Sequence, residues 1–172
     1  GLVDPREAAN IPGILLIVSG ILNLLYSLIY AIWTGISLAV SGIAAVMSAI
    51  AAFDNPDNIA GAIVYALQAL SPIIQIIAFV IVFVMALITI FAGLRLRSCR
   101  SKGIVWLGAL AAPGAPLLAI ISSAASLCAC NCCGFLLGNI GSFIVLVVGL
   151  VAFVMAVMAL RNPMVAEAFD NA

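Results

Sequence analysis

Four thiols stand within six residues, Cys128-Ala129-Cys130-Asn131-Cys132-Cys133, and a fifth, Cys99, lies apart. Thiolates at this density hold zinc or an iron–sulfur cluster, or they oxidise to disulfides. Zinc sites usually separate paired ligands by two to four residues. Here one residue separates Cys128 from Cys130 and none separates Cys132 from Cys133, and the chain has no histidine to complete a site. Three readings stay open: a disulfide that pins a turn, free or lipid-modified thiols at a membrane interface, and a metal site on Cys128, Cys130, Cys132 and Cys133. The disulfide leads, because the topology derived below puts these residues outside, where thiols oxidise. Cys99 falls among basic residues inside, where it stays reduced. Palmitoylation suits such a position, although a plain interfacial cysteine needs no special role.

No other chemistry-bearing constellation emerges. The absence of histidine removes the commonest general base and metal ligand. Pumps, proton-coupled carriers and voltage sensors carry ionisable groups inside their spans, and none lies inside the apolar runs here. No catalytic residue, cofactor or enzymatic activity is therefore expected. A net charge of zero argues against a nucleic-acid partner.

The elements that hold these residues follow from where charge occurs. All twelve charged residues sit in four clusters: Asp4, Arg6 and Glu7; Asp54 and Asp57; Arg95, Arg97, Arg100 and Lys102; Arg161, Glu167 and Asp170. The uncharged gaps between them are 46, 37 and 58 residues long. Charged residues make up 7% of the chain and hydrophobic ones 67%, against roughly 25% charged in a soluble domain. A lipid-facing surface follows. A spanning helix needs about 20 apolar residues, and each gap exceeds that. Barrel strands alternate apolar and polar, whereas the runs 14–18 and 144–148 do not. The chain reads as all-α. The N-terminus mixes acid and base before an apolar run longer than a signal h-region, so it does not read as a cleavable signal. Gly1 is not a start methionine, which implies processing or a preceding segment.

Basic residues near helix ends favour the cytoplasm. Placing the 95–102 cluster inside gives four helices, near 12–53, 58–94, 103–127 and 134–160, with both termini inside and a tail over 161–172. All six basic residues then lie on one side and the Asp54/Asp57 turn lies outside. At 1.5 Å per residue, the stretch 12–53 makes a helix of about 60 Å, twice the roughly 30 Å hydrocarbon core. A six-helix alternative turns near Trp33-Thr34-Gly35 and also satisfies the charge rule. Long helices are preferred, because a turn at membrane depth must bury or wet its backbone.

The surplus length carries a pattern. Ile36, Val40, Ile43, Met47 and Ile50 are spaced as an a/d seam, and Ile59, Ile63, Leu67 and Leu70 follow a similar one. The expectation is an antiparallel hairpin over 36–72 beyond the outer face, with an outer surface rich in Ala, Ser and Gly that packs on other subunits. The plainer reading leaves it in lipid within a tilted bundle. Pro113 and Pro116 predict a kink or short unwound stretch in the third helix. Gly134 and Gly138 form a small-xxx-small contact face on the fourth. Asn23, Gln75 and Asn139 are expected to hydrogen-bond between helices, with pore lining as the alternative. Tyr26, Tyr30, Trp33 and Trp106 fit interface anchors.

Three stretches carry a resemblance: Ile11–Gly20, Gly93–Gly103, and Cys132–Gly138 followed by the helix that ends in Leu160–Phe169. Together they resemble small bacterial four-helix membrane proteins in which a cysteine-rich turn precedes the last helix and a short tail follows it. The resemblance implies no catalytic residues, and the segment 35–71 departs from it. Claudin-like proteins share the helix count but have an outer-loop Trp and paired Cys motif that is absent here. The expected role is a structural subunit of a larger membrane assembly, in a bacterial inner membrane, whose partners are lipids and other membrane subunits or copies of itself. The alternative is a homo-oligomeric pore or lipid-organising protein.

Overall fold

The computed structural model describes residues 4–55, 57, 59–124 and 132–171. Among them the chain is all-helical: α1 Pro5–Asp54, α2 Ile59–Arg97, α3 Lys102–Ser123, α4 Cys132–Arg161 and α5 Pro163–Asp170. Four helices are long and apolar enough to cross a membrane. Among the described residues this fits an integral membrane protein with a four-helix span region.

α1 starts at Pro5 rather than near residue 12. The Asp4 side chain accepts the backbone N–H of Arg6, and proline fits the first helical turn, where an N–H has no partner to lose. The helix then runs 50 residues, about 75 Å at 1.5 Å per residue. No turn interrupts it near Trp33. α2 returns for 39 residues. α3 is one helix through Pro113 and Pro116, so no unwound stretch occurs there.

The core is built from small residues. Eleven of the nineteen buried apolar residues described are alanines. On α4, Ser142, Val145, Gly149, Ala152, Ala156 and Ala159 repeat at three and four residues, the period that places side chains on one helix face. Large apolar side chains face outward along all four long helices. This is the arrangement expected in lipid. Apolar tails solvate Leu and Ile as well as a protein interior does, so close backbone approach becomes the source of packing energy. A Cβ on Gly93 would sit 2.6 Å from the carbonyl oxygen of Gly13, and one on Gly20 would sit 2.9 Å from that of Ala86. α1 and α2 therefore cross almost backbone to backbone.

Antiparallel pairing brings the start of α1, the end of α2, the start of α3 and the end of α4 to one end of the bundle. All six basic residues lie there. That end is closed by α5, where the sequence suggested only a tail. Asn162 caps it by accepting the N–H of Met164, and Pro163 opens it. Val165 is fully buried in a cluster with Ala9, Leu16, Leu96, Cys99 and Val105. At the same end Cys99 and Ser101 take left-handed backbone conformations, with φ of 50° and 57°. Burial raises the Cys99 thiol pKa, Arg6 pulls it back down, and Asp4 adds to the rise.

Candidate functional site

Polar side chains tie the helices together; on α2 the Thr89 hydroxyl reaches the Gly108 carbonyl of α3 at 3.4 Å. Asn23 on α1 donates from Nδ2 to the Ser19 carbonyl at 3.1 Å and to the Ala112 carbonyl on α3 at 3.3 Å. Thr34 on α1 donates to the Gln75 amide oxygen on α2 at 3.4 Å. Ser123 at the end of α3 donates to the Asn139 amide oxygen on α4 at 2.9 Å. The three amides expected to bond across helices all do so. An amide buried in an apolar run has no water to turn to, so it must find another helix.

The Asn23 bond also bears on the two prolines. Pro116 has no N–H to give to Ala112, four residues before it. The carbonyl left without its usual α-helical donor is the one Asn23 reaches. On the other side, a Cβ on Gly149 of α4 would sit 2.5 Å from that same oxygen. Three helices meet at Ala112, and the junction is structural. A narrow recess beside Tyr26, Gln75, Phe79 and Ser122 has a volume of about 10 Å³, room for about one water.

The surface feature that distinguishes this chain lies further along α1. Gly141 of α4 packs against the Tyr26 ring, which sets Asn139 and the end of α3 level with the Tyr26–Tyr30 turn. Residues 31–54 of α1 continue past that level, about 36 Å of helix. There Ile36, Val40, Ile43, Met47 and Ile50 are all exposed, from 56% at Ile36 to 67% at Met47. Ile32, Trp33 and Val46 join them, and Ile59, Ile63, Val64 and Leu70 extend the apolar surface on α2.

This reverses the expected faces. The a/d spacing predicts that the large residues make the contact between α1 and α2, with small residues outside; the large residues lie outside. The contact is made by small ones. Gly13, Gly20, Ser27, Thr34, Ser41 and Ser48 recur every seven residues along the whole of α1. The first four are buried and the last two half-buried. A second row, Ile17, Leu24, Ala31, Leu38, Ala45 and Ala52, is half-buried beside it. The seam hydroxyls bond their own helix: Ser27 to Leu24 O at 2.8 Å, Ser41 to Leu38 O at 3.3 Å and Ser48 to Ala44 O at 2.6 Å. They therefore add small volume without an unpaired donor. The signal was present in the sequence as an unbroken seven-residue repeat of Gly, Ser and Thr. It is found only by searching for small residues instead of large ones.

Cys128 and Cys130 lie outside the described residues. Cys132, Cys133, Gly134 and Gly138 fall in the first turns of α4, with their side-chain surroundings outside the description. Among the described residues no group of three or more potential metal ligands occurs. Cys99 is a buried free thiol.

No protein-family model, curated protein or solved structure matches the chain.

Proposed function

We propose that this protein is a non-catalytic structural subunit of a larger membrane assembly, and that the α1–α2 hairpin beyond the four-helix region is its docking element. The observation that carries this reading is the exposed apolar row Ile36, Val40, Ile43, Met47 and Ile50 on a helix too long for the bilayer. Spanning helices tilt by up to about 40°. At that tilt a 30 Å core takes up about 39 Å of helix, which leaves about 36 Å of α1 outside hydrocarbon. That remainder is divided between the charged first turns of α1 and the stretch beyond Tyr30. Contiguous apolar surface on that scale marks an interaction site when it is not in lipid.

The charge pattern supports an orientation with both termini and the basic end in the cytoplasm, and the Asp54/Asp57 turn outside. The hairpin then stands on the outer face, in keeping with a bacterial inner membrane. Its occupants are other membrane subunits or further copies of this chain, with lipid around the remainder of the bundle. Mild extraction followed by native mass spectrometry tests the proposal. Co-extraction at fixed stoichiometry, with unrelated chains or with copies of itself, is the expected result. A lone monomer under conditions that preserve other assemblies of the same membrane would overturn it.

A further inference from the structure

The basic end of the bundle holds an open cleft of about 590 Å³ between α1 and the end of α2. That lies within the range of roughly 300–1,000 Å³ usual for small-ligand sites. Arg6, Asn10, Arg97, Ser98 and Arg100 line it, with Leu94 on its apolar side and Glu7 as the one carboxylate. Three arginines from two separate segments thus line the cleft beside one acid among the described residues. Arg97 is set in place by Gly13, because the Arg97 aliphatic stem occupies the space a Cβ on that residue would need. Arg95 is engaged elsewhere, stacked 4.8 Å over the Phe91 ring.

The cleft does not end in water. Ile14, one turn beyond Asn10, and Phe91, one turn before Leu94, are exposed large apolar residues. On helices, residues three and four apart share a face. A polar, positively charged recess therefore opens onto an apolar strip that runs toward the membrane interior. This is the shape of an amphiphile: an anionic head among arginines and a chain along Ile14 and Phe91.

We propose that this cleft binds the phosphate of an anionic phospholipid headgroup. Guanidinium groups donate in pairs to phosphate oxygens, and the Asn10 amide adds a neutral donor. Free phosphate shares the head chemistry but has nothing to place on the apolar strip. The site is independent of the hairpin and of what docks there.

The test uses full-length protein, delipidated in a neutral detergent and offered equimolar phosphatidylglycerol and phosphatidylcholine with the same acyl chains. Native mass spectrometry reads the bound lipid. Phosphatidylglycerol is expected to be retained preferentially. Each basic contact near a membrane surface is worth roughly fivefold in affinity, so Arg97→Gln with Arg100→Gln should cut the preference about 25-fold. Arg161→Gln, at the same end but outside the cleft, should leave it unchanged. Equal retention of the two lipids, or an equal loss from Arg161→Gln, overturns the proposal. Displacement of phosphatidylglycerol by equimolar inorganic phosphate overturns the lipid as the source. Should the double variant fail to fold, the wild type still decides. Its preference must fall as ammonium acetate approaches about 1 M, where the screening length is roughly 3 Å. A preference unchanged by salt contradicts guanidinium binding.

Discussion

Replacing Asn23 by Leu should destabilise the bundle, and restoring an N–H at position 116 should make that replacement nearly harmless. Asn23 Nδ2 lies 3.3 Å from the Ala112 carbonyl, which Pro116 cannot serve. Asn23→Leu keeps the branched side-chain shape and heavy-atom count but removes the donor. Interhelical bonds in membrane proteins average about 0.6 kcal/mol and reach about 1.7, while a buried acceptor left unpaired costs about 1–3 kcal/mol. A loss of about 1.5 kcal/mol is expected. In a Pro116→Ala background the new N–H donates to Ala112 within α3, and the same Asn23→Leu change should cost about 0.5 kcal/mol. The remainder, about 1 kcal/mol, is the coupling. The cycle cancels whatever Pro116→Ala does alone to helix propensity or packing, and the coupling exceeds the roughly 0.3–0.5 kcal/mol seen between independent sites. Reversible unfolding by SDS in mixed micelles, followed by circular dichroism, measures all four proteins. An equal cost in both backgrounds would refute the claim that Asn23 replaces the donor lost at Pro116.

Gly149→Val should cost about 1–3 kcal/mol in the same assay, because a Cβ 2.5 Å from the Ala112 oxygen meets backbone that cannot swing away; Gly103→Val, with nothing within 4 Å, serves as the control and should change little. Ser41→Leu on the α1 seam should destabilise the isolated protein, whereas Val40→Ser on the outer face should leave its unfolding unchanged and weaken assembly on native gels. Cys99 should alkylate slowly when folded and accelerate only as pH rises above the usual thiol range, because burial and Asp4 raise its pKa and the thiolate is the reactive form. Arg6→Gln removes the charge that lowers that pKa, so it should slow alkylation further; faster labelling would contradict the assignment. Val165→Asp places a charge at a fully buried position and should detach α5, seen as rapid Cys99 labelling at neutral pH.

Membrane spanning and the helix count were legible because charge in lipid is costly, so twelve charged residues can fall only at helix ends or turns. The pairing of Asn23, Gln75 and Asn139 was legible for a related reason: an amide in an apolar run lacks water and gains from a partner on another helix. The face of α1 was not. Ile36, Val40, Ile43, Met47 and Ile50 follow the a/d spacing of a seam, yet they lie on the exposed face. The seven-residue Gly/Ser/Thr repeat won, because small residues let α1 and α2 approach. α5 was missed although Asn162 and Pro163 supply a cap and a first-turn proline, since eight residues show too little periodicity to declare a buried face. Of the kink or short unwound stretch expected at Pro113 and Pro116, the unwound stretch does not occur, since α3 is continuous. A donor from another helix, invisible to any local reading, stands at the carbonyl that Pro116 leaves.

Under the proposed function, protein covers the outer face of the α1–α2 hairpin. The most direct measurement places a photo-crosslinking residue at Met47, which is 67% exposed, and in a second protein at Ser41 on the inner seam, then irradiates intact membranes. The account predicts an adduct to another polypeptide from Met47 and an internal adduct to α2 from Ser41. Adducts to lipid alone at Met47, with Ser41 still reaching α2, would contradict it.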